Sequence, residues 1–122
     1  MIRRLHHVQI TIPRGAEEAG RQFYCQVLGL MEVTKPDSLQ RRGGFWLQLG
    51  PVQVHVGTED DVDRSATKAH IAYEISDLEM WRMHLQDHGV PILESIPIPG
   101  FKRLECRDPF GNRIEFIERD MS

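Results

Sequence analysis

Six histidines lie in a chain of 122 residues, and any metal or proton chemistry would start from them. They are His6, His7, His55, His70, His84 and His88. His7 opens the run HVQITI, and His70 opens the similar run HIAYEI. His55 sits in VQVHV, at the place where the later run NRIEF has Glu115. Four potential ligands thus fall at two pairs of equivalent positions. His7, His70 and Glu115 make two imidazoles and one carboxylate. Such a set holds a divalent ion and leaves coordination positions open, which metal catalysis requires. His55 reads as a fourth ligand or as a polar wall of a cavity. Taken singly, a strand histidine is more often a packing or surface residue, and the shared register lifts His7 and His70 above that. His84 and His88 stand four apart on a helix and read as a solvated face. His6 is expected on the core side and is assigned no role.

Strands and helices must bring these residues together. Residues 5–12 alternate as a strand closed by Pro13. His7, Gln9 and Thr11 share one face, and Val8, Ile10 and Ile12 share the other, which is the better core face. Residues 16–28 read as a helix with Ala19, Phe23 and Val27 on one stripe, widened by Tyr24 and Leu28. Gly29 follows, where a left-handed glycine ends a helix. Strands are expected over 30–34, 44–49 and 52–56, with Gly50 and Pro51 turning between the last two. The polar stretch 58–67 reads as a linker. A strand over 68–75 comes next. Ser76 with Glu79 has the capping-box spacing, and Leu78, Trp81 and Leu85 carry the second helix to Gly89. Strands over 91–96, 101–106 and 112–117 complete the chain, with Asp108 to Gly111 as a turn. The order is βαβββ twice, an internal repeat in an α+β domain. The modules are 1–60 and 67–122.

Composition removes whole classes of function. Lys plus Arg is 15 and Asp plus Glu is 18, a formal net charge of −3, which does not suit nucleic acid. No apolar run is long enough to span a bilayer. The opening MIRRLHHVQITIP lacks the apolar segment and cleavage site of a secretory leader. Cys25 and Cys106 form no CxxC pair, and a reducing cytoplasm is the expected compartment.

The tandem βαβββ order, LHHVQITI, FYCQVLGL, AHIAYEI and DPFGNRIEFIE resemble the vicinal oxygen chelate superfamily over nearly the whole chain. Glyoxalase I, extradiol dioxygenases, fosfomycin-inactivating enzymes and bleomycin-resistance proteins are members. The resemblance implies cup-shaped, mostly antiparallel sheets around one divalent metal, here Zn, Ni, Mn or Fe. It places the ligands on His7, His70 and Glu115. A further glutamate of glyoxalase I falls on or beside His55, so His55 is a fourth ligand or stands behind the ligands. Glu115, or a metal-bound water, is the implied proton shuttle in isomerase or lyase chemistry through a metal-stabilised enediolate. A small Fe(II) extradiol-type dioxygenase would use the same ligands. A binding module that sequesters a small molecule would need none of them. Fosfomycin chemistry is disfavoured by Glu105 where a tyrosine is expected and by Gln9 where a threonine is expected. The arginine expected nine residues after the glutamate would fall beyond Ser122. Arg103, Glu105, Gln9, Trp46 and Gln48 are expected to line the substrate cup, with Arg103 receiving an anionic group and Trp46 stacking on a ring. For a chain of this length the resemblance implies a homodimer with shared sites. His7 and His55 then come from one subunit, and His70 and Glu115 from the other.

Overall fold

The computed structural model describes residues 1–120. Positions 121 and 122, at the end of the second module as read from the sequence, lie outside the described residues. By its internal contacts the chain divides into two compact units, Met1–Val62 and a second that starts at Asp63. Each is a βαβββ unit.

In the first unit, strands β1 (His7–Ile12), β2 (Met31–Val33), β3 (Phe45–Leu49) and β4 (Val52–Thr58) form a sheet of order β1-β4-β3-β2. β1 runs parallel to β4, and the other pairs are antiparallel, so the sheet is mixed. Alternation sends Phe45, Leu47, Val54, Val56 and Ile12 into the core, all at most 2% exposed. Trp46, Gln48, Gln53 and His55 fall on the opposite face.

The helix of this unit departs from the regular reading of 16–28. α1 (Glu17–Arg21) passes into a π-helical turn over Gln22–Val27. The Leu28 amide donates to the Phe23 carbonyl, five residues back, at 2.9 Å. This wider turn puts Phe23, Tyr24, Val27 and Leu28 all into the core. Ala19, expected on the buried stripe, is exposed, and Gly20 takes the contact instead. A Cβ on Gly20 would stand 3.0 Å from the Phe45 ring and 3.1 Å from Ile12. The helix lies too close to the sheet there for any larger residue to fit unshifted.

In the second unit, β5 (His70–Glu74), β6 (Leu93–Glu94), β7 (Phe101–Arg107) and β8 (Arg113–Arg119) repeat the arrangement in the order β5-β8-β7-β6. β5 is parallel to β8. α2 (Leu78–Asp87) covers one face through Leu78, Leu85 and Trp81, whose ring stacks on Phe116 at 5.0 Å. Its cap is Asp77 rather than Ser76. The Asp77 carboxylate accepts from the Met80 amide at 3.1 Å, because the helix begins one residue later than the S-x-x-E spacing implies. The Asp108–Gly111 turn is held from within. Asp108, itself buried, accepts through Oδ1 from the amides of Phe110 and Asn112, both at 2.9 Å. That accounts for the DPFGN run, in which the carboxylate replaces a missing backbone partner.

The two thiols differ in a way that can be measured. Cys106 is fully buried on β7, and burial, with Asp108 adding, pushes its thiol up to about 12. Cys25 is partly exposed; burial, then Glu32, raises its thiol as well. A raised thiol holds less thiolate at pH 8. The native protein is expected to release aryl thiolate from an aromatic disulfide reagent at Cys25 alone, and slowly. Cys106 should react only after denaturant is added. Two thiols reacting in the native protein would contradict the packing around β7.

Candidate functional site

The polar face of the first sheet carries a stack of rings. His55 lies between His7 and Trp46. Its centroid is 4.1 Å from that of His7 at 15°, and 3.8 Å from that of Trp46 at 1°. The register explains the stack, since Trp46 is directly opposite His55 and Gln9 flanks it on β1. His55 is only 6% exposed. Burial lowers its affinity for a proton, and His7 and His6 add to that, so it is a neutral imidazole near pH 7.

A chain of amides fixes which His55 nitrogen carries the hydrogen. Gln48 Nε2 donates to the Gly50 carbonyl at 2.7 Å. Gln48 Oε1 then accepts from Gln53 Nε2 at 2.9 Å, and Gln53 Oε1 faces His55 Nε2 at 2.8 Å. A carboxamide oxygen only accepts, so Nε2 carries the hydrogen and the lone pair of His55 is on Nδ1. Gln48, expected to meet substrate, has both its amide groups engaged in this chain.

These rings border a cavity of about 490 Å³ that lies wholly in the first unit. His7, Gln9, Trp46 and His55 line it, as do Lys35, Leu39 and Arg42 from the segment before β3, which pattern reading did not single out. His6 lines it too and is exposed, contrary to the expected core position, because β1 begins only at His7. Its Nδ1 is 3.0 Å from Nδ1 of His7. Gly57 leaves room for Gln9, whose Nε2 stands 2.8 Å from where a Cβ would be.

The polar face of the second sheet is a lattice of charge. Glu105 on β7 lies directly opposite Glu115 on β8, and both are buried. Each carboxylate has its own arginine, reached on the diagonal. Arg113 Nε and Nη2 clasp the two oxygens of Glu105, each at 2.7 Å. That hydrogen bonding, against the opposing effect of burial, holds the Glu105 carboxyl below the usual range. Arg103 Nη1 donates to Glu115 Oε1 at 3.1 Å, while its Nε and Nη2 hold the Ile96 carbonyl at 2.9 and 2.7 Å. Arg103 and Glu105, read as cup-lining residues, are thus both tied into salt bridges. Arg113, the partner of Glu105, was not expected, since only the strand register shows it.

His70 completes this face. Its Nδ1 donates to the Lys68 carbonyl at 2.9 Å, and its Nε2 faces Glu115 Oε1 at 3.3 Å. Among the described residues of one chain, no three His, Cys, Asp or Glu side chains gather on one point.

The folds and faces of these units place the chain in a known class. Residues 4–116 match the model of the Glyoxalase/Bleomycin resistance protein/Dioxygenase superfamily. A crystal structure from Bacillus anthracis, described as of the glyoxalase family, is 34% identical with a TM-score of 0.91, covering 98% of each chain. Lactoylglutathione lyase from Agrobacterium tumefaciens shares the fold at 18% identity and TM-score 0.73, covering 94% of this chain and 92% of that one. So does an antibiotic-binding protein from Streptomyces sp. CB03234, at 15% identity and TM-score 0.75, covering 98% of both. No curated protein matches. The chain belongs to the Glyoxalase/Bleomycin resistance protein/Dioxygenase superfamily. No helix is long and apolar enough to cross a membrane.

Members of this superfamily usually hold a divalent ion, and the residues here can be tested against one. Two donors each about 2.0–2.1 Å from a tetrahedral ion lie about 3.3 Å from each other. His70 Nε2 and Glu115 Oε1 have that separation. The Lys68 carbonyl fixes the His70 ring through its other nitrogen, as the partners of metal-binding imidazoles do. This pair fits a divalent ion. His7 and His55 do so less well as a pair, because stacked rings direct their lone pairs side by side rather than at one point.

Proposed function

We propose that the chain is a metal-dependent enzyme of glyoxalase type, acting on a small substrate with two adjacent oxygens. The observation that carries this reading is His70 Nε2 set against the buried Glu115 carboxylate, with the ring already oriented by the Lys68 carbonyl. His7, His70 and Glu115 would hold the ion, and His55 would stand behind His7 as a wall. A divalent ion held there supplies Lewis acidity to the two substrate oxygens. Glu115 is the base that takes a proton from the carbon beside them. Its Oε1 is shared by Arg103 and His70, so Oε2 is the oxygen that receives the proton. Burial of Glu115 keeps water from competing for that role. Trp46 and Gln9 shape the substrate space. The working form would be a cytoplasmic homodimer in which His7 of one subunit and His70 with Glu115 of the other complete each site.

A second reading has its own support. Arg103 already neutralises Glu115, as a carboxylate without a metal would require. On that reading the protein binds a small molecule and holds no ion. Elemental analysis of untagged protein purified without chelator, alongside light scattering, separates the two. About one metal per chain in a two-chain particle is expected. Nickel, zinc or manganese would then direct assays to isomerase or lyase substrates, and iron to oxygen uptake with catechols. Protein that is empty and takes up no added metal would overturn the enzymatic reading in favour of the binding module.

A further inference from the structure

The cavity of the first unit has a charge character opposite to that of the chain. The chain carries a net −3. Yet the titratable groups lining the cavity are Lys35, Arg42 and three imidazoles, with no carboxylate among them. The Glu17 carboxylate of α1 is close to Gly43, with Oε2 3.5 Å from a Cβ built there, but it is not among the lining groups. Lys35 is held in place, since its Nζ donates to the Gly43 carbonyl at 2.6 Å. An ammonium has three N–H groups, so two remain for a ligand. The Arg42 carbonyl is pinned by the Thr58 hydroxyl at 3.4 Å, which fixes the backbone from which its guanidinium reaches. The lining is also aromatic and apolar. Trp46 has one face stacked on His55, with the planes parallel to within 1° and the centroids 3.8 Å apart, and Leu39 adds apolar surface. At about 490 Å³ the cavity is in the size range of small-molecule sites.

We propose that this cavity selects planar anionic ligands, aromatic or conjugated carboxylates, with the ring laid along Trp46 and the carboxylate met by Lys35 and Arg42. A guanidinium and an ammonium answer a carboxylate, and an indole face answers a flat ring. The proposal deepens the reading of this cavity as the substrate end of the site. It rests on the first unit alone and does not require the ion.

The test uses full-length protein with Trp81→Phe, which leaves Trp46 as the only indole. The probes are 2-naphthoate and its neutral counterpart 2-naphthylmethanol, followed by calorimetry and by Trp46 fluorescence, before and after chelation. The carboxylate is expected to bind about tenfold more tightly than the alcohol, and added salt should weaken only the carboxylate. Lys35→Met and Arg42→Gln, checked for an unchanged melting temperature, should each lower 2-naphthoate affinity about fivefold or more and leave the alcohol unaffected. Equal binding of the two probes, no binding of either, or indifference to both substitutions would overturn the proposal. Selectivity that disappears on chelation would assign the anion preference to a bound metal and would also overturn it. Because chelated protein is one arm, failure here leaves the metal reading standing, and an empty metal site leaves this proposal standing.

Discussion

Gly44→Ala is expected to destabilise the first unit by about 3 kcal/mol or more. Gly44 has φ of +80°, where a side chain is strained. The larger cost is steric. A Cβ would lie 2.0 Å from the Val56 carbonyl oxygen, 3.1 Å from its carbon and 3.2 Å from the Gly57 Cα. All three are backbone atoms of β4, so no rotamer change can clear them. Relief must come from opening the β3–β4 ladder beside Phe45 and Val56. That would also disturb the Trp46–His55 stack one residue further on. Urea unfolding of the variant and the parent gives the difference. Gly50→Ala is the control, because Gly50 has φ of +55° and nothing within 4 Å. It should cost only the conformational penalty, about 1–2 kcal/mol. Similar midpoints for both variants would mean that the strand ladder yields more readily than its backbone contacts imply.

Glu115→Gln should lower metal affinity by more than about 100-fold, since it removes the only charged ligand of the proposed set. Turnover should fall with it, and added metal should not restore activity, because an amide cannot take the proton. Arg103→Met should act in the opposite direction on binding. Its guanidinium sits 3.1 Å from the same Oε1 that an ion would use. Two cations near one oxygen repel, so removing the fixed one should tighten metal binding by about tenfold or more. Calorimetric titration of the two variants with one metal gives both signs in a single series. If Arg103→Met weakens binding instead, Arg103 orients the carboxylate for the ion rather than competing with it.

The alternating pattern of short strands made the faces of both sheets legible. His7, Gln9, Trp46 and His55 share a polar face because a period of two admits only two faces. The repeat placed His70 and Glu115 on the matching strands of the second unit. Other features depend on separations between chain segments that periodicity does not encode. Gly20 is set by the distance of the helix from Phe45 and Ile12. The π-helical turn is set by how many of Phe23, Tyr24, Val27 and Leu28 the core must receive. The diagonal exchange of partners between Arg103, Glu105, Arg113 and Glu115 appears only once β7 and β8 are in register. Lys35 and Arg42 lie outside strands, where side-chain direction follows no period. His6 lies one residue before the strand whose alternation was extended to it.

The amide chain from Gly50 to His55 has a head and a tail. It starts at a main-chain carbonyl in the β3–β4 hairpin turn, an acceptor that never titrates. Every later member is therefore polarised in one sense, and no change of pH can reverse it. The tautomer of a buried imidazole is thus set by the shape of a surface turn five residues away. A substitution in that turn would be felt at the ring stack without any atom of the cavity having been changed.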